Sequence, residues 1–168
     1  MREKYSSILN DQIDSNLYER TKELFEEAAA QSLKNNADFS FQTNFDKSYT
    51  DKWRSDFAKK SYQTHLYYLY VSDINICIQR VAKRVKQGGH SVSKPEIIER
   101  YKKGLINLDK SFSKYDCVKL IDTSGRKSKL LFEIQDKKII TVFREMIEIS
   151  EKHALNNMLE KIEEHFGK

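Results

Sequence analysis

A chain of 168 residues is long enough to build one domain around its own core, and a 39% hydrophobic share with nine Phe and nine Tyr excludes a disordered polar polymer. The net charge of +5 is unevenly placed: residues 1–72 carry −1, residues 73–129 carry +8 and residues 130–168 carry −2. No apolar run nears the roughly 20 residues needed to span a bilayer, and the opening MREKYSSILNDQ lacks the apolar stretch of a secretion signal, so a cytoplasmic chain with no membrane partner is expected.

Residues 15–35 place Leu17, Leu24 and Ala28 at helical spacing behind Asp14 or Ser15 as candidate caps, which predicts the first helix. Phe39 and Phe41 alternate with polar neighbours over residues 39–43, the pattern of a short strand, and a helix is expected around Tyr49–Lys60. The run THLYYLYV at 64–71 is nearly continuous in aromatic and aliphatic residues, as in a central parallel strand buried on both faces, with Tyr67, Tyr68 and Tyr70 in the core. Ser72 and Asp73 offer a cap for a helix presenting Ile74, Cys77, Ile78, Val81 and Val85 on one face and ending at Gly88-Gly89.

Ser93-Lys94-Pro95-Glu96 reads as a capping box with proline in the first turn, opening a helix that buries Ile97, Ile98, Tyr101, Leu105 and Leu108. Residues 116–122 predict another strand, ending in a Ser-Gly turn. LLFEI and IITVF, separated by residues 135–138, predict an antiparallel hairpin, and residues 143–165 a closing helix that covers the core. With only one proline and no repeat or linker, residues 1–168 are expected to form a single domain of the α/β class: a parallel sheet flanked by helices, with the hairpin and closing helix at 126–168.

Cys77 and Cys117 lie far apart without metal-ligand spacing and read as reduced core thiols, and no metal site is expected. Arg80 and Arg84 stand one turn apart beside the apolar stripe of their helix. Spacing alone leaves two readings open, surface arginines in weak ion pairs or a guanidinium pair facing an anion. His90 reads as a packing or capping residue, and Asp122-Thr123-Ser124 as turn chemistry or as a nucleotide contact. The +8 segment lacks interleaved aromatics and any nucleic-acid motif, so nucleic acid is ranked last among partners.

The segment Arg80-Val81, Arg84-Val85, Gly88-Gly89-His90, Val92, Pro95-Glu96, Arg100-Tyr101 and Gly104-Leu105 resembles the zeta toxin family of P-loop kinases. Asp38-Phe39-Ser40-Phe41-Gln42-Thr43 upstream and Asp122-Thr123-Ser124 downstream extend the resemblance over residues 15–125. It implies a P-loop kinase-like sheet and an enzyme that uses ATP or GTP with Mg to phosphorylate the 3′-hydroxyl of a UDP-N-acetylamino sugar. It further implies that Arg84 and Arg100 neutralise the transferring phosphoryl group, that Gln42 and Thr43 contact the sugar nucleotide, and that Arg80, Asp122, Thr123 and Ser124 line the nucleotide.

Two departures qualify what the resemblance implies. None of the five glycines stands in a GxxxxGK[ST] loop, and the family's strand carrying the catalytic base has no counterpart here. The family's substrate-contacting glutamate is Gln42, which keeps hydrogen-bonding capacity and loses charge. The expectation is a truncated or degenerate kinase, inactive alone, partnered by an antitoxin-like protein or by a missing N-terminal half. The alternative is a protein-interaction module on a kinase scaffold.

Overall fold

A computed structural model describes the backbone of residues 3–46 and 49–167, and side chains from Glu19 onward. The chain divides into two compact units, one reaching Gln42 and one from Thr43 onward. In the first, helix α1 spans Glu3–Asn35, so Asp14 and Ser15 fall inside it rather than at its start. Asn36 takes a left-handed φ of 52° and Ala37 N–H returns to Ser32 C=O at 3.0 Å, which ends the helix. Residues 39–43 form no strand. Phe39 and Phe41 instead meet Phe25 of α1 with ring centroids 5.6 and 5.0 Å away, so their alternation serves a local aromatic cluster and not a sheet.

The second unit is built on four strands, β1 (His65–Tyr70), β2 (Cys117–Asp122), β3 (Lys129–Gln135) and β4 (Lys138–Val142), in spatial order β1-β2-β3-β4. β1 and β2 run parallel with Tyr68 opposite Leu120, while β2–β3 and β3–β4 are antiparallel. The α/β class is as expected, and the hairpin is an integral half of the sheet rather than an appendage to a mostly parallel one. Its turn, Asp136-Lys137, has φ of 48° and 63°, the doubly positive geometry that matches strand twist, reached here without glycine. Gln63 donates to the Asp136 carboxylate at 2.9 Å, which ties the turn to the start of β1.

Helices α2 (Tyr49–Ala58), α3 (Ile74–Lys86), α4 (Lys94–Ser111), α5 (Arg144–His153) and α6 (Asn156–Phe166) complete the unit. α4, α5 and α6 bring Leu105, Leu108, Met146, Met158 and Ile162 against Tyr70, Val118, Leu120, Phe132 and Ile134 on one face of the sheet, forming the core. The expected single closing helix is two. Ala154 adopts φ 51° and Leu155 turns fully into the core, which breaks the run between α5 and α6. The α6 N-terminus has no cap of its own, and Asp109 of α4 supplies one, with Oδ1 accepting from Met158 N–H at 3.0 Å and Oδ2 from the Asn157 side-chain amide at 2.7 Å.

β1 is an edge strand, contrary to the expectation of a central one. Tyr67 and Leu69 are 59% and 60% exposed, and only alternate residues of β1 face the core. A continuous apolar run does not distinguish a strand flanked by neighbours from one with a free side, because both keep the same β-forming residues. The cysteines are half-buried, Cys77 on α3 and Cys117 on the outer face of β2, and are not full core residues. α3 likewise has no fully buried residue, although its apolar stripe lies where expected.

Candidate functional site

The C-terminal ends of β1 and β2 lie side by side, with Tyr70 opposite Asp122. Thr123 donates to Tyr70 C=O from both its N–H (2.9 Å) and its hydroxyl (3.0 Å), which clamps the two strand ends together. Ser124 N–H donates to Asp122 Oδ1 at 2.8 Å, the Ser124 hydroxyl bonds the same oxygen, and Ser72 N–H donates back to that hydroxyl at 2.8 Å. The turn is an Asx motif whose serine bridges the loops leaving both strands. In open α/β sheets this end of a parallel pair is where ligands gather.

α3 starts beside this turn because Asp73 caps it, accepting from Asn75 N–H at 2.9 Å. Two turns on, the Arg80 guanidinium donates to Thr123 C=O and lies 3.5 Å from the Thr123 hydroxyl. Lys152 of α5 adds a second cation, donating to Ser72 C=O at 3.1 Å. Of the four residues expected to line a nucleotide, Arg80 and Thr123 touch directly, and Asp122 and Ser124 are joined to them through the turn.

Arg84 goes elsewhere. Its guanidinium donates to His90 C=O at 3.4 Å, and its side chain lies across Gly89, where an added Cβ would come within 2.6 Å of Arg84 Cγ. Gly88, at φ +85°, lets the chain leave α3, and Gly89 lets Arg84 lie on the loop, so the Gly-Gly pair fastens the arginine. His90 contributes its backbone carbonyl to that fastening. Arg100, on α4, forms ion pairs with Glu96 at 2.5 Å and with Asp46 at 3.9 Å. Of the other two expected site residues, Gln42 is exposed in the first unit, and the Thr43 hydroxyl turns to its own loop, 3.1 Å from Phe45 N–H and 3.2 Å from the Tyr49 hydroxyl.

Sequence reasoning missed Asp46 and Lys152. Asp46 follows Phe45, a core aromatic held at φ 58°, an unfavourable conformation for a bulky residue. Asn107 donates to Phe45 C=O at 2.9 Å, and the Asn44 carbonyl would sit 3.2 Å from a Cβ on Gly104. This hook on α4 aims Asp46 at Arg100. Its nearest sequence signal is the glycine at 104, which permits the close approach.

Behind the strand ends the Tyr70 hydroxyl bonds His153 Nε2 at 3.1 Å, and the Tyr101 hydroxyl donates to Val71 C=O at 2.8 Å. Burial, and then the neighbouring Lys152 cation, push the His153 pKa below its ordinary 6.5. Because the folded state holds His153 neutral, the unfolded chain takes up the proton first as pH falls. The contribution is intact above about 6.5 and is lost below it, down through the lowered folded value. The thermal midpoint is therefore expected to fall on acidification below 6.5, and His153→Asn to flatten that limb; superimposable pH profiles for the two proteins would contradict this assignment.

Among the described residues no cluster of three His, Cys, Asp or Glu side chains is arranged to hold a metal, and the one turn carboxylate, Asp122, is already bonded by Ser124. Arg80 and Lys152 place two cations beside this turn, each donating to a backbone carbonyl. No described helix is long and apolar enough to cross a membrane. A family model described as Zeta toxin matches residues 4–136. No curated protein and no solved structure matches the chain.

Proposed function

The chain belongs to the zeta toxin family, and from that premise we propose that its 168 residues form the nucleotide-facing, arginine-bearing part of a sugar-nucleotide kinase and do not transfer phosphate by themselves. Family membership supports a kinase-like nucleotide-binding domain, and nucleotide and Mg binding in general. The observation that carries the finer reading is Arg80 held against Thr123 at the ends of the parallel strands. A guanidinium fixed by a backbone carbonyl still has donors left for a phosphate, and its planar fork suits phosphate oxygens.

In this reading Arg80 and the Asp122-Thr123-Ser124 turn meet ATP or GTP, and Arg84 and Arg100 are the lid arginines that neutralise phosphoryl charge. Gln42 and Thr43 are the contacts to a UDP-N-acetylamino sugar, weakened by the neutral amide at 42. Phosphoryl transfer rests on positioning and charge neutralisation, and these residues contain no GxxxxGK[ST] cradle to supply them. The cytoplasm, where nucleotides and sugar nucleotides are found, is the expected setting.

Calorimetric titration with Mg-ATP and Mg-GTP tests this directly. Saturable heat is expected, reduced by Arg80→Ala and by Arg84→Ala, with no phosphorylated UDP-N-acetylglucosamine formed when the sugar nucleotide is added. A flat titration would sink nucleotide binding, and product formation would sink the inactivity.

A second reading, a protein-interaction module on the kinase scaffold, is favoured by α3. Its stripe of Ile74, Cys77, Ile78, Val81 and Val85 is amphipathic yet nowhere fully buried, which suits an antitoxin-like protein or a chain segment supplying the phosphate loop.

A further inference from the structure

The two edges of the sheet are treated differently. β4 is guarded: Lys137 and Lys138 open it, Arg144 follows it, and charge on an edge discourages pairing with another strand. β1 has no such device. Residues 61–72, SYQTHLYYLYVS, contain no Lys, Arg, Asp, Glu or Pro, and the register from His65 to Tyr70 against β2 runs without a bulge. The carbonyls of Thr64 and Tyr70 accept from Cys117 and Thr123 N–H, so the even-numbered residues of β1 bond toward β2. The N–H and C=O groups of His65, Tyr67 and Leu69 therefore point outward, and among the described residues none of them meets a backbone partner. The side chains of the same three residues lie on the open face, with Tyr67 and Leu69 59% and 60% exposed and the His65 and Tyr67 rings stacked, centroids 6.5 Å apart.

We propose that β1 pairs with β1 of a second copy of this chain, antiparallel about a two-fold axis at Tyr67, giving one continuous eight-stranded sheet. Charge selects both occupant and direction. A chargeless strand meets no repulsion from its own copy. Lys60 precedes β1 and Asp73 follows it, while Lys59 is already paired with Asp56 at 3.3 Å, so antiparallel pairing sets the basic end of one strand beside the acidic end of the other, whereas parallel pairing sets like against like. The outward groups fall in register: Tyr67 exchanges two N–H···O bonds with Tyr67 of the second copy, and His65 does the same with Leu69. On the open face the His65 ring comes to lie across from the Leu69 side chain of the other copy, covering apolar area that each chain alone exposes. The inference is independent of nucleotide binding.

Sedimentation velocity across micromolar concentrations tests it on the full chain. The unmodified chain is expected to dimerise, and Leu69→Lys to sediment as a monomer with unchanged circular dichroism, because that position is solvent-exposed, and to lose the rise of thermal midpoint with concentration that dimerisation gives the unmodified chain. The axis is tested separately by oxidation of Tyr67→Cys in a Cys77→Ser, Cys117→Ser background. Residues facing across the axis lie about 5.5 Å apart between Cα atoms, within disulfide reach, so Tyr67→Cys should cross-link and Ile140→Cys on β4 should not. A chain that stays monomeric throughout would overturn the proposal and leave the β1 edge to a strand of another protein. A dimer indifferent to Leu69→Lys, or cross-linked through Ile140→Cys, would also overturn it.

Discussion

Phe132→Ala is expected to lower the unfolding free energy by about 3–5 kcal/mol, the range for removing a large aromatic side chain from a packed core. Phe132 has no exposed surface, pairs across the sheet with Leu120 and Val142, and meets Phe112 edge-to-face with ring centroids 6.3 Å apart. It therefore sits where the strand layer meets the 3-10 turn that ends α4. Alanine there deletes the ring's burial and leaves a void bounded on one side by backbone that cannot collapse without breaking strand pairing. Domains of this kind are stable by roughly 5–15 kcal/mol, so the loss would remove a large fraction of the total. Urea unfolding measures it. A loss under about 1 kcal/mol would mean that the sheet and helices do not pack as described.

Asp109→Ala carries the second effect, about 1–2 kcal/mol, the upper range for losing a helix cap. Asp109 stands on α4, yet both its carboxylate oxygens serve the first turn of α6: Oδ1 takes Met158 N–H at 3.0 Å, and Oδ2 takes Asn157 N–H at 3.3 Å and the Asn157 amide at 2.7 Å. Leu155, which precedes α6, is buried and has no polar group to offer in its place. Removing the carboxylate leaves orphan N–H groups at the end of the helix that carries Met158 and Ile162 into the core, and removes a negative charge from the positive end of that helix. Asn in place of Asp109 keeps the acceptor and should recover most of the loss. Equal stability of Asp109→Ala and the unmodified chain would show that α6 does not depend on this cap.

Asp109 also marks the boundary of what was legible from residue order. The capped helices α3 and α4 were readable because Asp73 and Ser93 stand directly before their apolar periodicity, and both are found capping, with Ser93 Oγ accepting from Glu96 N–H at 3.4 Å. The hairpin was readable from two short apolar runs around a polar turn. A cap reaching across 48 and 49 residues leaves no local trace, and Asp109 looks like one more charge on the solvated side of α4. The break at Ala154 was equally hidden, since a left-handed alanine has no sequence signature and the apolar spacing runs on through Leu155.

The site divides in the same way. Arg80 and the Asp122-Thr123-Ser124 turn were named together through the family resemblance, since residue order alone left the turn open between turn chemistry and a nucleotide contact; in the fold they meet beside the ends of the two parallel strands. Arg84 and Arg100 were named, but their partners were not, because Gly89, His90 C=O and Asp46 act through close approach and backbone geometry rather than through spacing. The edge position of β1 was hidden by its composition, which is that of an interior strand.

The measurement that bears most directly on the central claim is a nitrogen-15 NMR titration of the chain with Mg-ATP, following backbone amides and the Arg80 Nε–H. Nucleotide held as proposed should move Thr123, Ser124, Gly125 and Arg80 first, with Arg80→Ala abolishing the shifts. Saturating nucleotide that leaves these resonances in place, or that moves a separate set on another face, would contradict the assignment of the strand ends as the nucleotide site.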